Sequence, residues 1–194
     1  LDTPVGWLPD THEGPGVTGR VSTEAAAATG LAEGTPVAGG MFDIDACGLS
    51  SGIVDETQLC MIVGTWGNNQ YISKTPVVHE TVFMTTCYAI AGYYLMLEGS
   101  ATSASNLEWF VTEFFAAERQ QAADAGNSVY DLCNQLVADT KPEDSGIVFL
   151  PFLYGSNVSL DGKSCFIGLD GWQSRGHVLR AIYEGIVFSH NWHL

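Results

Sequence analysis

The sequence predicts an α/β protein. One observation is a set of short, continuous apolar runs of strand length, Leu59–Val63 and residues 147–150, the first stopped by Gly64. Another is a long helical period over residues 175–190, apolar at Val178, Leu179, Ile182, Ile186 and Val187. Strand-like and helix-like stretches alternate between them, the pattern of an α/β layout. With 194 residues, 46% of them hydrophobic, the chain is one domain or two small ones and has enough apolar mass for a proper core.

In chain order, residues 1–20 read as loop, punctuated by Pro4, Pro9, Gly14, Pro15, Gly16 and Gly19. A short helix follows, with Ser22 or Thr23 as N-cap and Gly30 just past its end. Residues 36–40 read as a brief strand ending in glycines, whereas 42–52 fit neither template cleanly. Leu59–Val63 suits a strand buried on both faces, with residues 70–74 as its hairpin partner across a turn at 64–69. Residues 83–96 carry several β-formers. Amphipathic helices are expected over 104–121 and 129–139, then the strand at 147–150, a polar loop over 155–163 and the final helix. No internal repeat or low-complexity tract interrupts the pattern.

Charge narrows the function classes. Twenty-two Asp and Glu against seven Lys and Arg give a net charge of −15, which argues against nucleic acid or an anionic membrane surface as partner. A phosphate compound would have to be held by backbone amides, helix N-termini or a metal. The longest charge-free run in the middle, broken by Thr85, Thr86 and Gly92, is too short and polar to span a bilayer. The first residues show no signal peptide, and the five cysteines contain no C-x-x-C pair. A cytoplasmic protein with reduced, partly buried thiols is the expectation.

Two segments can carry chemistry. In Gly39-Gly40-Met41-Phe42-Asp43-Ile44-Asp45, a strand and two glycines lead to an aspartate at a helix start, where free amides and the helix dipole favour its ionised form. An ionised Asp suits deprotonation of an alcohol late in a phosphoryl transfer, although the same position is also that of an ordinary cap. Asp45, inside the first turn, reads as a surface residue complementing the dipole. In Leu59–Val63 followed by Gly64-Thr65-Trp66, a strand runs into a tight turn whose amides and Thr65 hydroxyl can approach a phosphate. The simpler reading is a hairpin with Gly64 at positive φ.

Together, at this spacing, the segments resemble the FGGY family of carbohydrate kinases, within the actin/hexokinase-like ATPase (ribonuclease H-like) superfamily. Residues 37–43 resemble the family's Gly-Gly-x-Asp region and residues 59–65 its second phosphate loop. Residues 164–169, with 177–184 seven residues later, resemble its C-terminal signature, and 149–155 the segment before it. The resemblance runs from about residue 18 to the end. It implies a partial two-lobed fold: residues 1–58 as the end of an N-terminal sugar-binding lobe, 59–194 as the start of a C-terminal nucleotide-side lobe. It implies ATP and Mg²⁺ as cofactors, a sugar as the other substrate, no resident metal ligands and a homodimer as one assembly. Asp43 would be the general base, and Gly64, Thr65 and Ser105 would touch the nucleotide. Phe42-Asp43 and Gly64-Thr65-Trp66 are most similar to kinases of ketopentoses such as xylulose. The family's first phosphate loop and adenosine pocket are absent from the chain, so a fragment inactive on its own is expected.

Other readings compete. Gly48-Leu49-Ser50-Ser51-Gly52 satisfies G-x-S-x-G and is followed by Asp170 and His177 in the order of a serine hydrolase, but two aspartates in the preceding segment would be costly in a buried strand. His190 and His193 could share a helix face towards a metal, without a second ligand pair. Gly162-Lys163-Ser164 ends like a Walker loop but lacks its first glycine, and Asn157-Val158-Ser159 is formally a glycosylation acceptor. A catalytically silent actin-like module is the remaining class.

Overall fold

The structure, a computed structural model, describes residues 5–7, 14, 16–79, 82–156, 159 and 161–192. Asn157 and Val158 of the formal acceptor site, and His193, lie outside the described residues. The elements in order are a 3₁₀ turn at Val5–Trp7, β1 (Val17–Arg20), α1 (Thr23–Thr29), β2 (Pro36–Ala38), α2 (Asp43–Ser50), β3 (Leu59–Val63), β4 (Gly67–Ser73), β5 (Met84–Cys87), β6 (Tyr94–Ser100), α3 (Ser105–Phe114), α4 (Ala116–Asp124), α5 (Val129–Ala138), a 3₁₀ turn at Pro142–Asp144, β7 (Val148–Leu150), β8 (Cys165–Ile167) and α6 (Arg175–Trp192). The mixed α/β layout agrees with the pattern in the sequence.

The chain divides into two compact units, one of residues 1–58, 71–77 and 85–96, the other of residues 59–70, 78–84 and 97–194. In the first unit, Ser22 caps α1 by accepting from the Ala25 amide at 3.1 Å, and Gly30 closes it in the left-handed region. Residues 17–20, expected as loop, form β1. Antiparallel pairing with β2 and the bond from Thr18 Oγ1 to the Val37 carbonyl outweigh the local preference of Gly19. That pairing also aims the Gly39-Gly40 link towards α2. A Cβ on Gly39 would stand 3.0 Å from the Gly14 carbonyl, so this glycine is required by close backbone approach.

β3 lies at the edge of a four-stranded sheet of order β3-β4-β6-β5. The expectation of a strand buried on both faces is corrected: Leu59, Met61 and Val63, which share one face of the strand, are all exposed, so that face is left uncovered. The second unit holds two apolar clusters. Val111, Phe115, Val129, Cys133 and Leu179 form one; Ile147, Phe149, Ala181, Ile182 and Ile186 form the other, so α6 contributes to both. The single helix expected over 104–121 is two. Phe115 leaves helical geometry (φ −125°, ψ 26°) to place its ring in the core, with the Arg175 guanidinium stacked 4.9 Å from the ring centroid. β7 pairs antiparallel with β8, a strand of three residues too short to read from periodicity. Of the cysteines, only Cys133 is buried; Cys47, Cys87 and Cys165 are exposed, and all five are free thiols. No helix among the described residues is long and apolar enough to cross a membrane.

Candidate functional site

Asp43 is the first residue of α2. Phe42, in extended geometry (φ −63°, ψ 138°), is the N-cap and supplies no side-chain bond, so the helix start is not closed by a cap. The Asp43 carboxylate accepts from the Ile44 amide at 2.9 Å and remains exposed at the head of the helix. Asp45 behaves otherwise. Expected on the surface, it is 6% exposed, its Oδ1 has no partner among the described residues, and burial pushes its carboxyl above the ordinary range.

Ser50, the candidate hydrolase nucleophile, is the last residue of α2 and donates its hydroxyl to the Cys47 carbonyl at 3.0 Å. A nucleophile elbow needs its serine between a strand and the start of a helix, and here it ends one. Asp170 accepts from the Gly171 amide, while His177 Nδ1 accepts from the Ser174 amide at 3.0 Å and so caps α6. Each member of the supposed triad is committed to local structure. The hydrolase reading falls.

In the second unit the turn after β3 and the start of α3 are joined directly, the Ala104 amide donating to the Gly64 carbonyl at 2.9 Å. Thr65, Trp66, Ala104, Ser105, Leu107, Glu108, Tyr130 and Tyr154 line a cavity of about 910 Å³. Of the sequence candidates, Thr65 and Ser105 thus share one cavity, with Gly64 bonded to its wall. Asp43 belongs to the other unit and is not among the lining residues. Gly64 is not at positive φ, and a Cβ there would meet only the Trp66 carbonyl, at 3.5 Å. Its own amide donates to that carbonyl at 3.2 Å, and Thr65, the residue between them, lines the cavity. Ser105 donates its hydroxyl to the Ala101 carbonyl at 3.1 Å. What α3 presents to the cavity is therefore an uncapped helix start, with the partial positive charge of its amides.

The cavity lining also includes part of a charged cluster that the sequence reading missed. Glu108 accepts from the Tyr130 hydroxyl, from Arg119 Nη2 at 2.8 Å and from Thr112 Oγ1 at 3.3 Å. These bonds, the one from Tyr130 foremost, hold the Glu108 carboxyl below its ordinary value. Burial, reinforced by the bond to Glu108, pushes the Tyr130 phenol up to about 12. Glu108 was within reach of sequence reasoning, being three residues beyond Ser105 and so on the same helix face. Tyr130 lies in another helix, and no local signal marks it. Among the described residues no group of His, Cys, Asp and Glu could hold a metal ion.

Comparison with known proteins identifies the family. The C-terminal domain of the FGGY family of carbohydrate kinases matches residues 59–194. A probable L-xylulose kinase of Pasteurella multocida is 39% identical over 198 residues, covering 100% of this chain and 38% of that protein. An L-xylulose/3-keto-L-gulonate kinase of Escherichia coli is 38% identical over 190 residues, covering 96% of the chain and 36% of that protein. The chain thus spans well under half the length of these relatives. Among solved structures, xylulose kinase from Rhodospirillum rubrum superposes with a TM-score of 0.85 at 28% identity, over 98% of this chain and 37% of that one. The architecture is accordingly that of the actin/hexokinase-like ATPases, present in part.

Proposed function

From the premise that this chain belongs to the FGGY family of carbohydrate kinases, we propose that the protein carrying it transfers the γ-phosphoryl group of ATP to a sugar hydroxyl. The observation that carries the reading is the cavity of the second unit, where the Thr65 turn and the uncapped start of α3 are bonded to each other and the positive end of the helix dipole favours an anion. With 22 acidic residues and 7 basic ones, the chain has little cationic charge to attract a nucleotide, so oriented peptide dipoles are the means it has. Mg²⁺ would arrive with the nucleotide as part of the substrate, since the described residues provide no metal cluster.

Asp43 acts as the general base in this reading. Its carboxylate stands at an open helix start, where it can accept the proton of the sugar hydroxyl as that oxygen attacks the γ-phosphorus. The names of the relatives support a ketopentose of the xylulose type as the acceptor. A panel of ketopentoses, aldonates and polyols in a coupled ADP-release assay on the full-length protein tests both points, and ADP release with none of them would refute the reading. Asp43→Asn should keep folding and sugar affinity while reducing turnover at least about a hundredfold, as loss of a general base implies. Near-normal turnover would remove Asp43 from the role.

A further inference from the structure

His190, in the last turn of α6, is 4% exposed and does not line the nucleotide cavity, yet it touches the segments that form it. Asn69 of β4 donates from Nδ2 to the His190 carbonyl at 3.1 Å, and its Oδ1 lies 3.1 Å from His190 Nδ1. An amide oxygen only accepts, so Nδ1 carries a proton, and Nε2 lies 3.3 Å from Ser103 Oγ, within hydrogen-bond reach. Ser103 is fully buried. The residue after it, Ala104, is the one bonded to the Gly64 carbonyl, and the Ser103 carbonyl accepts from both the amide and the Nδ2 of Asn106. On the other side, Gly67, the first residue of β4 after the Gly64–Trp66 turn, presses on the ring: a Cβ there would stand 2.7 Å from Cε1 and 2.8 Å from Nε2 of His190. The imidazole is wedged between the strand that leaves the turn and the residue that precedes α3.

We propose that His190 is a positioning residue for nucleotide binding, fixing the spacing between the Thr65 turn and the start of α3 without touching the ligand; this rests on the kinase reading above. Two walls that bind one anion must be held in register to a fraction of an ångström, and a buried, fully bonded ring does this better than apolar packing alone. Sequence reasoning passed over it, because His190 looks like half of a metal pair and the residues it holds lie 87 and 121 positions away.

The test compares wild type, His190→Leu and His190→Gln in the full-length protein by MgADP calorimetry, sugar KM, thermal melting and amide hydrogen exchange. Leu fills the volume without hydrogen bonds; Gln can restore a hydrogen-bond partner for Ser103. His190→Leu should weaken MgADP about tenfold, leave sugar KM within about twofold and speed exchange at residues 64–67 and 103–108, and His190→Gln should recover most of the affinity. A folded Leu variant with unchanged MgADP affinity, or with nucleotide and sugar constants shifted equally, overturns the proposal. Should Leu fail to fold, Gly67→Ala strains the same contact from the strand side and should give the same selective loss; its absence there is equally decisive. Wild-type protein that binds no MgADP refutes the kinase reading instead. The exchange measurement then still decides whether His190 couples the two segments.

Discussion

Two aspartates separated by one residue at the head of α2 meet opposite environments. Asp43 is exposed on an uncapped helix start, whereas Asp45 is turned into the protein with one oxygen unpartnered. Sequence pattern located the first, because glycines followed by an acid before a helical run is a local signal. It misplaced the second, because burial is decided by what packs over a side chain and not by its neighbours in the chain. Asp45 has a raised carboxyl pKa in the folded state, so whatever stability its protonated form confers is complete below the ordinary value of 3.8 and fades as pH rises through the folded value. At neutral pH the buried charge is a cost. Asp45→Asn should therefore raise stability at pH 7, by about 1 kcal/mol if the amide finds a partner for its new donor. The gain should shrink towards pH 4, which paired thermal melts at the two values would show. A stability loss at pH 7 would mean that the ionised group has a partner that its burial conceals.

At the level of elements, strongly periodic or capped segments were legible and short or edge segments were not. Ser22 and Gly30 bounded α1 correctly, and the period over 175–190 is α6 but for its last two residues. The break at Phe115 was invisible, since nothing local distinguishes a helix that continues from one that stops to bury an aromatic ring. β3 shows the reverse failure: an apolar run fits a central strand, but position in the sheet is set by topology. Glycines inside α6 show how packing overrides propensity. Replacing a helix-interior glycine by alanine ordinarily gains about 1 kcal/mol. At Gly185 a Cβ would stand 2.5 Å from the Phe149 carbonyl of β7, and at Gly176 2.4 Å from the Leu136 carbonyl of α5. Both obstacles are backbone. Gly185→Ala should accordingly destabilise by about 1–3 kcal/mol in denaturant unfolding, the cost of overpacking, and a stabilised variant would show that β7 is free to shift.

For the whole molecule, net charge was the feature read most directly, and it bears on both stability and ligand choice. The described ion pairs are Arg119–Glu108, Arg175–Glu118 and Arg180–Glu184, all in the second unit. Arg180 is spent mainly on backbone, its guanidinium bonding the Val137 and Thr140 carbonyls where α5 ends. With 22 acids against 7 bases, most carboxylates have no cation to face, and their mutual repulsion opposes the compact state. Repulsion between exposed charges acts over a screening length of about 30 Å at 0.01 M salt and about 10 Å at 0.1 M, so added salt should relieve it far more than it weakens three ion pairs at contact distance. The melting temperature of the chain should then rise as sodium chloride goes from about 0.01 to 0.2 M, with most of the increase below about 0.1 M. Sodium sulfate would confuse the reading by strengthening apolar burial as well. A melting temperature that falls over the same range would mean that ion pairs, and not the two apolar clusters about α6, hold the fold together.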